Sequence, residues 1–387
     1  MRLIHTSDWH LGRTLHGESL LEHQGAFLRW LLDQAVTRQV DAVLVAGDVY
    51  DRAIPPTDAV RLLDETLVAF ARARIPVVLT SGNHDSWVRL GFASRLSEAA
   101  GIHLRTRVED ITRPVVLRDA HGEVGIYGLP YLLPDAVMAD LGAERSHASV
   151  LAAAGGRVRA DAAARGLSRT VVIAHALVTG GNTSDSERDI RVGGIADTPP
   201  GVLAGCSYLA LGHLHGQQRV DTGGATAAGY SGSPLAFSFS ERHHHKSVTL
   251  AEIGGDGTVE AQPLRTPVPR PLREVRGRLD ELLARADTDL ADLAGAWVKA
   301  VLTDQARPVA PMERLRERWP HTIALDFQPE GGLASPDADL VRLAEAADPV
   351  EVCGLFVDFV AGAPPDEVQR AVLREAVETA RHGEAAA

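Results

Sequence analysis

The chain has 387 residues, 45% hydrophobic and 23% charged, an ordinary balance for a folded protein with one large domain and smaller attachments. A formal charge of −12 argues against non-specific nucleic-acid binding through overall basicity, so a polyanion would have to be held by local patches, metals or a partner. No apolar run reaches the ~20 residues of a membrane span, Asp8 and His10 stand where a signal peptide would be apolar, and Cys206 and Cys353 lack CxxC spacing. A cytoplasmic protein without a membrane anchor, disulfide framework or zinc knuckle is expected.

Five short apolar runs, each ending in polar residues, predict buried strands over 2–8, 41–48, 76–85, 170–175 and 208–215. Between the first three lie amphipathic, helix-length stretches at 20–36 and 58–74, the alternation of a parallel α/β sheet. Thr57, after Pro55-Pro56, is placed as an N-cap. Runs at 124–131 and 246–253 fit a second layer of sheet, and the Ala-rich stretch 146–165 reads as a surface helix interrupted near Gly155-Gly156. Segment 254–271, rich in Gly and Pro without hydrophobic period, predicts a linker.

Beyond it a small α+β pattern begins: extended at 272–275, helical at 279–286, extended at 297–302, helical at 312–318 and extended at 322–327. Helix is expected again from about Pro336. There Val352, Leu355, Phe356, Phe359 and Val360 share one apolar face, and Pro364-Pro365-Asp366 opens a second helix carrying Val368, Ala371, Val372 and Ala376.

Every predicted strand of the first domain ends in metal-ligand chemistry, at the carboxyl edge where open α/β sheets form their crevice. The first delivers Asp8-Trp9-His10, the second Gly47-Asp48 with Asp51, and the third Gly82-Asn83-His84-Asp85. His175 ends the fourth, and Gly212-His213-Leu214-His215 ends the fifth. Any one block occurs by chance, whereas five together predict a metal site. Gly47, Gly82 and Gly212 precede ligands where a residue without Cβ permits a sharp turn or close approach.

Two carboxylates, an amide oxygen and four imidazoles without thiolate suit Mn²⁺ or Fe²⁺, are compatible with Zn²⁺ and disfavour Ca²⁺. So many ligands call for two ions, which sit ~3.5–4 Å apart and share a carboxylate. Asp48, at the end of a central strand, is the expected bridge. Two divalent ions against two aspartates leave a local positive charge that attracts a phosphodiester.

Other features have plainer readings beside functional ones. His243-His244-His245 reads as a solvated turn more readily than as a chelator. Trp9 and Trp87 either stack on a base or pack beside the site. Arg13, Arg52 and Arg89 are candidates for phosphate contact.

The blocks D-x-H, G-D-x-x-D, G-N-H-D, a lone H and G-H-x-H, in this order, resemble the calcineurin-type metallophosphoesterases. HTSDWHLG (5–12), VAGDVYD (45–51), SGNHDS (81–86), SERDIRVGG (186–194), YLALGHLHGQQ (208–218) and YSGSPLAFSFSE (230–241) are similar to one branch, the SbcD nuclease subunits of bacterial SbcCD exonucleases, the bacterial form of the Mre nuclease. The resemblance implies an α/β sandwich of two mixed β-sheets flanked by helices over 1–270, a small α+β capping and DNA-recognition domain over 271–332, and C-terminal helices over 333–387 that dock on an SbcC-type coiled-coil ABC ATPase.

It also implies a DNA exonuclease and single-strand or hairpin endonuclease serving repair, recombination and replication, as a homodimer within a heterotetramer or larger complex. It assigns Asp8, His10, Asp48 and His215 to one ion and Asp48, Asn83, His175 and His213 to the other. Mn²⁺ is the expected ion, with Mg²⁺ or Fe²⁺ as alternatives. His84 becomes the catalytic histidine that stabilises the transition state or protonates the leaving oxygen, with Asp85 orienting it. Asp51 either orients substrate or holds a loop. No GxxxxGK[ST] loop is present, so no nucleotide site is expected in this chain. The alternatives are a phosphoesterase for phosphoproteins, cyclic nucleotides or small esters, and a scaffold that has lost catalysis.

Overall fold

The computed structural model describes residues 1–187, 198–330, 348–361 and 364–384. Two compact units divide it, Met1–Arg273 with Gly295–Trp297, and Glu274–Ala294 with Val298–Ala387.

In chain order the strands of the first unit are β1 (Arg2–Thr6), β2 (Thr14–Leu15), β3 (Glu18–Ser19), β4 (Ala42–Ala46), β5 (Val77–Thr80), β6 (Ile102–Arg105) and β7 (Val115–Asp119). They continue as β8 (Gly122–Leu129), β9 (Thr170–His175), β10 (Tyr208–Gly212), β11 (Gln218–Val220), β12 (Ala227–Tyr230), β13 (Ser247–Ile253) and β14 (Val259–Arg265). One sheet runs β14-β13-β1-β4-β5-β6 and the other β11-β12-β10-β9-β8-β7, while β2 and β3 form a hairpin. Each large sheet has a parallel core, β1-β4-β5-β6 and β12-β10-β9-β8, with antiparallel strands β13 and β14 at one edge of the first and β11 and β7 at the two edges of the second.

Period-two alternation sets the layers. Leu3, Leu44 and Val78 of the first sheet face Val124, Ile126, Ile173 and Ala210 of the second, forming the core between sheets. On the outer face of the first sheet, Ile4, Val43, Val45 and Leu79 pack with Phe27 and Leu31 of the helix Leu21–Thr37 and with Leu63 and Phe70 of the helix Thr57–Ala73. Tyr127, Val172 and Leu209 meet Val150, Leu151 and Val158 of the helix His147–Arg165 on the outer face of the second. With both faces covered, the central strands are apolar throughout.

Several expectations need correction. Residues 247–253 do not join the second sheet; they pair antiparallel with β1 in the first. The expected linker contains β14, hairpin partner of β13: an edge strand with solvated side chains and Pro263 has no apolar period to detect. The helix His147–Arg165 is continuous and buries six residues, because Gly155 lets the carbonyl of Val202 approach within 2.8 Å of where a Cβ would stand. The N-cap of the second helix is Pro56, not Thr57, and no side chain caps it.

The second unit holds all but the first residues of the sheet β15 (Leu272–Gly277), β16 (Trp297–Leu302) and β17 (Thr322–Phe327), in that order, and the helices Leu279–Ala284 and Pro311–Arg318. Leu279, Leu282, Leu315 and Trp319 are buried there. Two further helices span Pro349–Ala361 and Glu367–Glu384. Asp366 and Gln369 cap the latter reciprocally, Gln369 N–H to Asp366 Oδ1 at 2.8 Å and Asp366 N–H to Gln369 Oε1 at 2.9 Å. Phe356 is 63% exposed; the side chains of Phe359 and Val360, and the helix start expected near Pro336, lie outside the described residues. Among those residues no helix is long and apolar enough to cross a membrane.

Candidate metal centre

Strands β1, β4 and β5 from one sheet and β9 and β10 from the other deliver their carboxyl ends to one place. The turns beyond them are tight: Asp8, His10, Asp48 and His213 have φ of 53°, 44°, 48° and 110°, the left-handed region that side chains enter only when the surroundings impose it. Around Asp8, His10 and Asp48 the β1–β4 pairing continues past the strand ends, and His213 N–H donates to the Asp8 carboxylate. Asp8 N–H bonds to Gly47 O at 3.0 Å, His10 N–H to Asp48 O at 3.0 Å and Leu11 N–H to Val49 O at 2.9 Å.

The glycines make the convergence possible. A Cβ would lie 2.5 Å from His175 Nδ1 at Gly47, 2.1 Å from Asp48 Oδ1 at Gly82 and 1.8 Å from Ala46 O at Gly212.

Asp48 sits at the centre, its Oδ2 3.5 Å from His175 Nε2, 3.6 Å from His10 Nε2 and 3.9 Å from His84 Nε2. Asn83 Oδ1 is 2.9 Å from His175 Nε2 and 3.3 Å from His213 Nδ1. On the other side Asp8, His10 and His215 bring one ligand atom each within 4.8 Å of one another. The seven expected ligands thus converge on one place, and Asp48 lies between two groups of them.

Hydrogen bonds at the backs of the rings decide which nitrogens point inward. His175 Nδ1 faces Ala46 O at 2.9 Å and His84 Nδ1 faces Asp51 O at 2.7 Å; a nitrogen beside a carbonyl carries the proton, so each Nε2 presents a lone pair to the centre. His10 Nε2 and His215 Nε2 stand 3.2 Å apart, an arrangement that repels unless a proton or cation lies between them. Burial, and then the neighbouring histidines, hold His10 and His213 well below the usual imidazole range. Burial, reinforced by Asp8 and Asp85, pushes the Asp48 carboxyl up. Neutral imidazoles facing crowded carboxylates, with His10 Nδ1 and Asn83 Nδ2 buried and without a hydrogen-bond partner among the described residues, fit a divalent metal site.

The Asp85 carboxylate, beside His84 in sequence, accepts from three backbone N–H groups, Val49 at 3.1 Å, Tyr50 at 2.9 Å and Gly82 at 2.9 Å, so it locks the β4 and β5 turns together, while His84 N–H donates to Asp48 Oδ1 at 2.9 Å. Asp51 supplies the His84 ring's carbonyl partner, while its own carboxylate lies 3.6 Å from His10 Nδ1 and 3.6 Å from Arg13 Nη1. Arg13 also covers the Phe237 ring at 4.8 Å. Arg52 reaches Asp51 at 3.9 Å, and Arg89 bonds to Ala53 O at 3.2 Å.

Trp9 is core, buried against Phe27 with its Nε1 donating to Thr6 Oγ1 at 3.0 Å, whereas Trp87 is exposed. His243, His244 and His245 are exposed on a turn and its exit.

Sequence reasoning assigned no role to a second tier behind His215. Ser186 Oγ lies 2.5 Å from His215 Nδ1, Glu187 Oε1 accepts from His215 N–H at 2.8 Å, and Lys246 Nζ donates to His215 O at 2.9 Å. Glu241 joins them: it is fully buried, accepts from Lys246 and Ser186, and stands 3.5 Å from His215 Nδ1. Burial would raise this carboxyl, but Lys246 and His215 outweigh that and hold it down at about 2. The available signal was Lys246, one of only two lysines in the chain, just ahead of a buried strand. Of SERDIRVGG, residues 188–194 lie outside the described residues. Tyr131, also unassigned, meets the His175 ring edge-on at 6.3 Å; burial and the Asp48 carboxylate push its phenol up to about 12.

Residues 1–153 match the family of calcineurin-like phosphoesterases, and residues 268–360 match a family described as the type 5 capsule protein repressor C-terminal domain. The SbcD subunit of the SbcCD nuclease of Rhodobacter capsulatus is 35% identical to this chain, the alignment covering 96% of this chain and 92% of that protein. Its counterpart from Bacillus subtilis is 33% identical, with 95% of each chain covered, and that from Staphylococcus saprophyticus is 29% identical, with 85% of each covered. An identity of this size over nearly the whole length, on a fold that gathers the phosphoesterase ligand set at one edge, means that the chain belongs to the family of SbcD nucleases, metal-dependent hydrolases of phosphodiesters.

Proposed function

We propose that this chain cuts DNA as a double-strand exonuclease and hairpin endonuclease, using two divalent ions, Mn²⁺ by preference, in a cytoplasmic complex with an SbcC-type ABC ATPase. The observation that carries the reading is the position of Asp48, whose Oδ2 lies within 3.5–3.9 Å of the Nε2 atoms of His175, His10 and His84. Asp8, His10, Asp48 and His215 would hold one ion, and Asp48, Asn83, His175 and His213 the other. When bound, such ions polarise a phosphoryl oxygen and make a water nucleophilic at neutral pH.

The protein's own groups do the rest. Asp51 O fixes the His84 ring so that Nε2 faces the centre, where the ring in its doubly protonated form can donate to the phosphate and to the departing oxygen. Asp85 keeps the two turns in register, and Asp51 keeps His10 and Arg13 in place.

The helices Pro349–Ala361 and Glu367–Glu384 leave Phe356, Val368 and Val372 exposed, which supports a helix-in-groove contact with the ATPase. Phe92 and Leu96, exposed at 82% and 79% in the segment after β5, support self-association into a homodimer. The unit carrying β15, β16 and β17 would serve as the DNA-recognition cap.

The test compares end-labelled duplex and hairpin DNA with a chromogenic phosphate ester in Mn²⁺, with and without SbcC and ATP. DNA cleavage stimulated by the ATPase is expected. Faster turnover of the small ester with intact DNA would instead support a small-substrate phosphoesterase.

A further inference from the structure

A cavity of about 350 Å³ opens beside the metal centre, within the size range of small-ligand sites. Its floor includes Asn83, whose amide oxygen faces His175 and His213. Trp87, 54% exposed, lines it with the Arg107 guanidinium 6.0 Å from its ring centroid, as do Tyr131, Leu133 and Val137.

The chemistry of this lining selects its occupant. An exposed indole beside the centre offers a π-face on which a flat aromatic group can stack. The wall also carries Glu109 and Asp140, carboxylates that repel a second phosphate but accept from exocyclic amino groups. A group bearing a planar apolar face and polar edges, attached within a few bonds to a phosphate at Asn83, meets both conditions.

We propose that this cavity is a nucleobase subsite: it takes the base of the nucleotide next to the scissile phosphate, stacks it on Trp87, and so draws a frayed or unpaired end into the metal centre. The proposal rests on the nuclease reading and adds a reason for preferring ends and hairpin tips, where a base leaves the helix at least cost. Tyr131, a neutral phenol between cavity and His175, is placed to contact the sugar of that nucleotide.

The experiment uses the full-length chain in Mn²⁺ and two oligonucleotide substrates, identical except that one has a tetrahydrofuran abasic residue at the nucleotide to be released. The wild-type chain should cleave the base-bearing substrate with the higher kcat/KM. Trp87→Ala should lower kcat/KM on that substrate roughly 5–150-fold, the worth of one stacked base, chiefly through KM, and leave the abasic substrate nearly unaffected. Trp87→Phe should recover most of the loss. Equal cleavage of both substrates by the wild-type chain, or an equal loss on both in Trp87→Ala, would overturn the subsite and leave the nuclease reading standing. Failure of the wild-type chain to cleave either would overturn both.

Discussion

A methyl group on residue 82 would stand 2.1 Å from Asp48 Oδ1 and 2.3 Å from the Asp48 backbone nitrogen, so the central carboxylate and a Cβ cannot share that space. Gly82→Ala should therefore resemble Asp48→Ala: fewer ions per chain by calorimetric titration, no measurable hydrolysis, and an intact fold by circular dichroism. A Gly82→Ala protein that binds ions and cuts DNA normally would show that Asp48 can move without consequence. His84 separates binding from chemistry. His84→Gln should keep the ions and bind DNA yet lose ~10²–10⁴-fold in rate, and loss of ions in that variant would make His84 a ligand. The ligand types were legible because carboxylates and imidazoles followed every apolar run. Glu241, Ser186 and Lys246 were not, since their meaning depends on two distant segments meeting behind His215, and no local spacing records such a meeting.

Strands that are apolar on both faces, such as β4 and β9, announced themselves in sequence, and their observed ends fall within three residues of the expected ones except at β5, where the ligand loop begins early. Edge strands β7, β11 and β14 did not, because one face is wet and their pairing comes from neighbours far along the chain. At the end of the sandwich remote from the metal centre, Asp119 closing β7 accepts from Arg169 Nη2 at 2.7 Å and Nη1 at 2.9 Å and meets the N-terminal ammonium ahead of β1 at 2.8 Å. The hydrogen-bonded guanidinium, aided by the ammonium, holds this carboxyl well below the usual carboxylate range. A depressed folded-state pKa contributes stability that is present above the unfolded value of ~3.9 and is lost as pH falls through the folded one. Asp119→Asn should thus cost ~2–3 kcal/mol in urea unfolding at pH 7, and the gap to wild type should narrow below pH 4. A gap independent of pH would mean that the contact acts through packing alone.

Across the whole molecule the charge of −12 leaves little general attraction for DNA, so recognition must be divided between the local site and a partner. Truncation after Gly332 should leave a folded, Mn²⁺-dependent nuclease that no longer copurifies with SbcC, and Phe356→Glu should do the same by placing a charge in the contact; undiminished SbcC binding by the truncated chain would place the contact elsewhere. The two-sheet origin of the proposed metal ligands has a mechanical consequence. Asp8, His10, Asp48 and Asn83 ride on the first sheet, and His175, His213 and His215 on the second. Ions held by these residues would therefore fasten one half of the sandwich to the other, like rivets through two plates at their open edge. Chelation should lower the thermal midpoint, because ions at 1,000 times their dissociation constant stabilise the native state by ~4 kcal/mol. Mutations that loosen the core between the sheets should, in return, weaken ion binding without touching a single ligand.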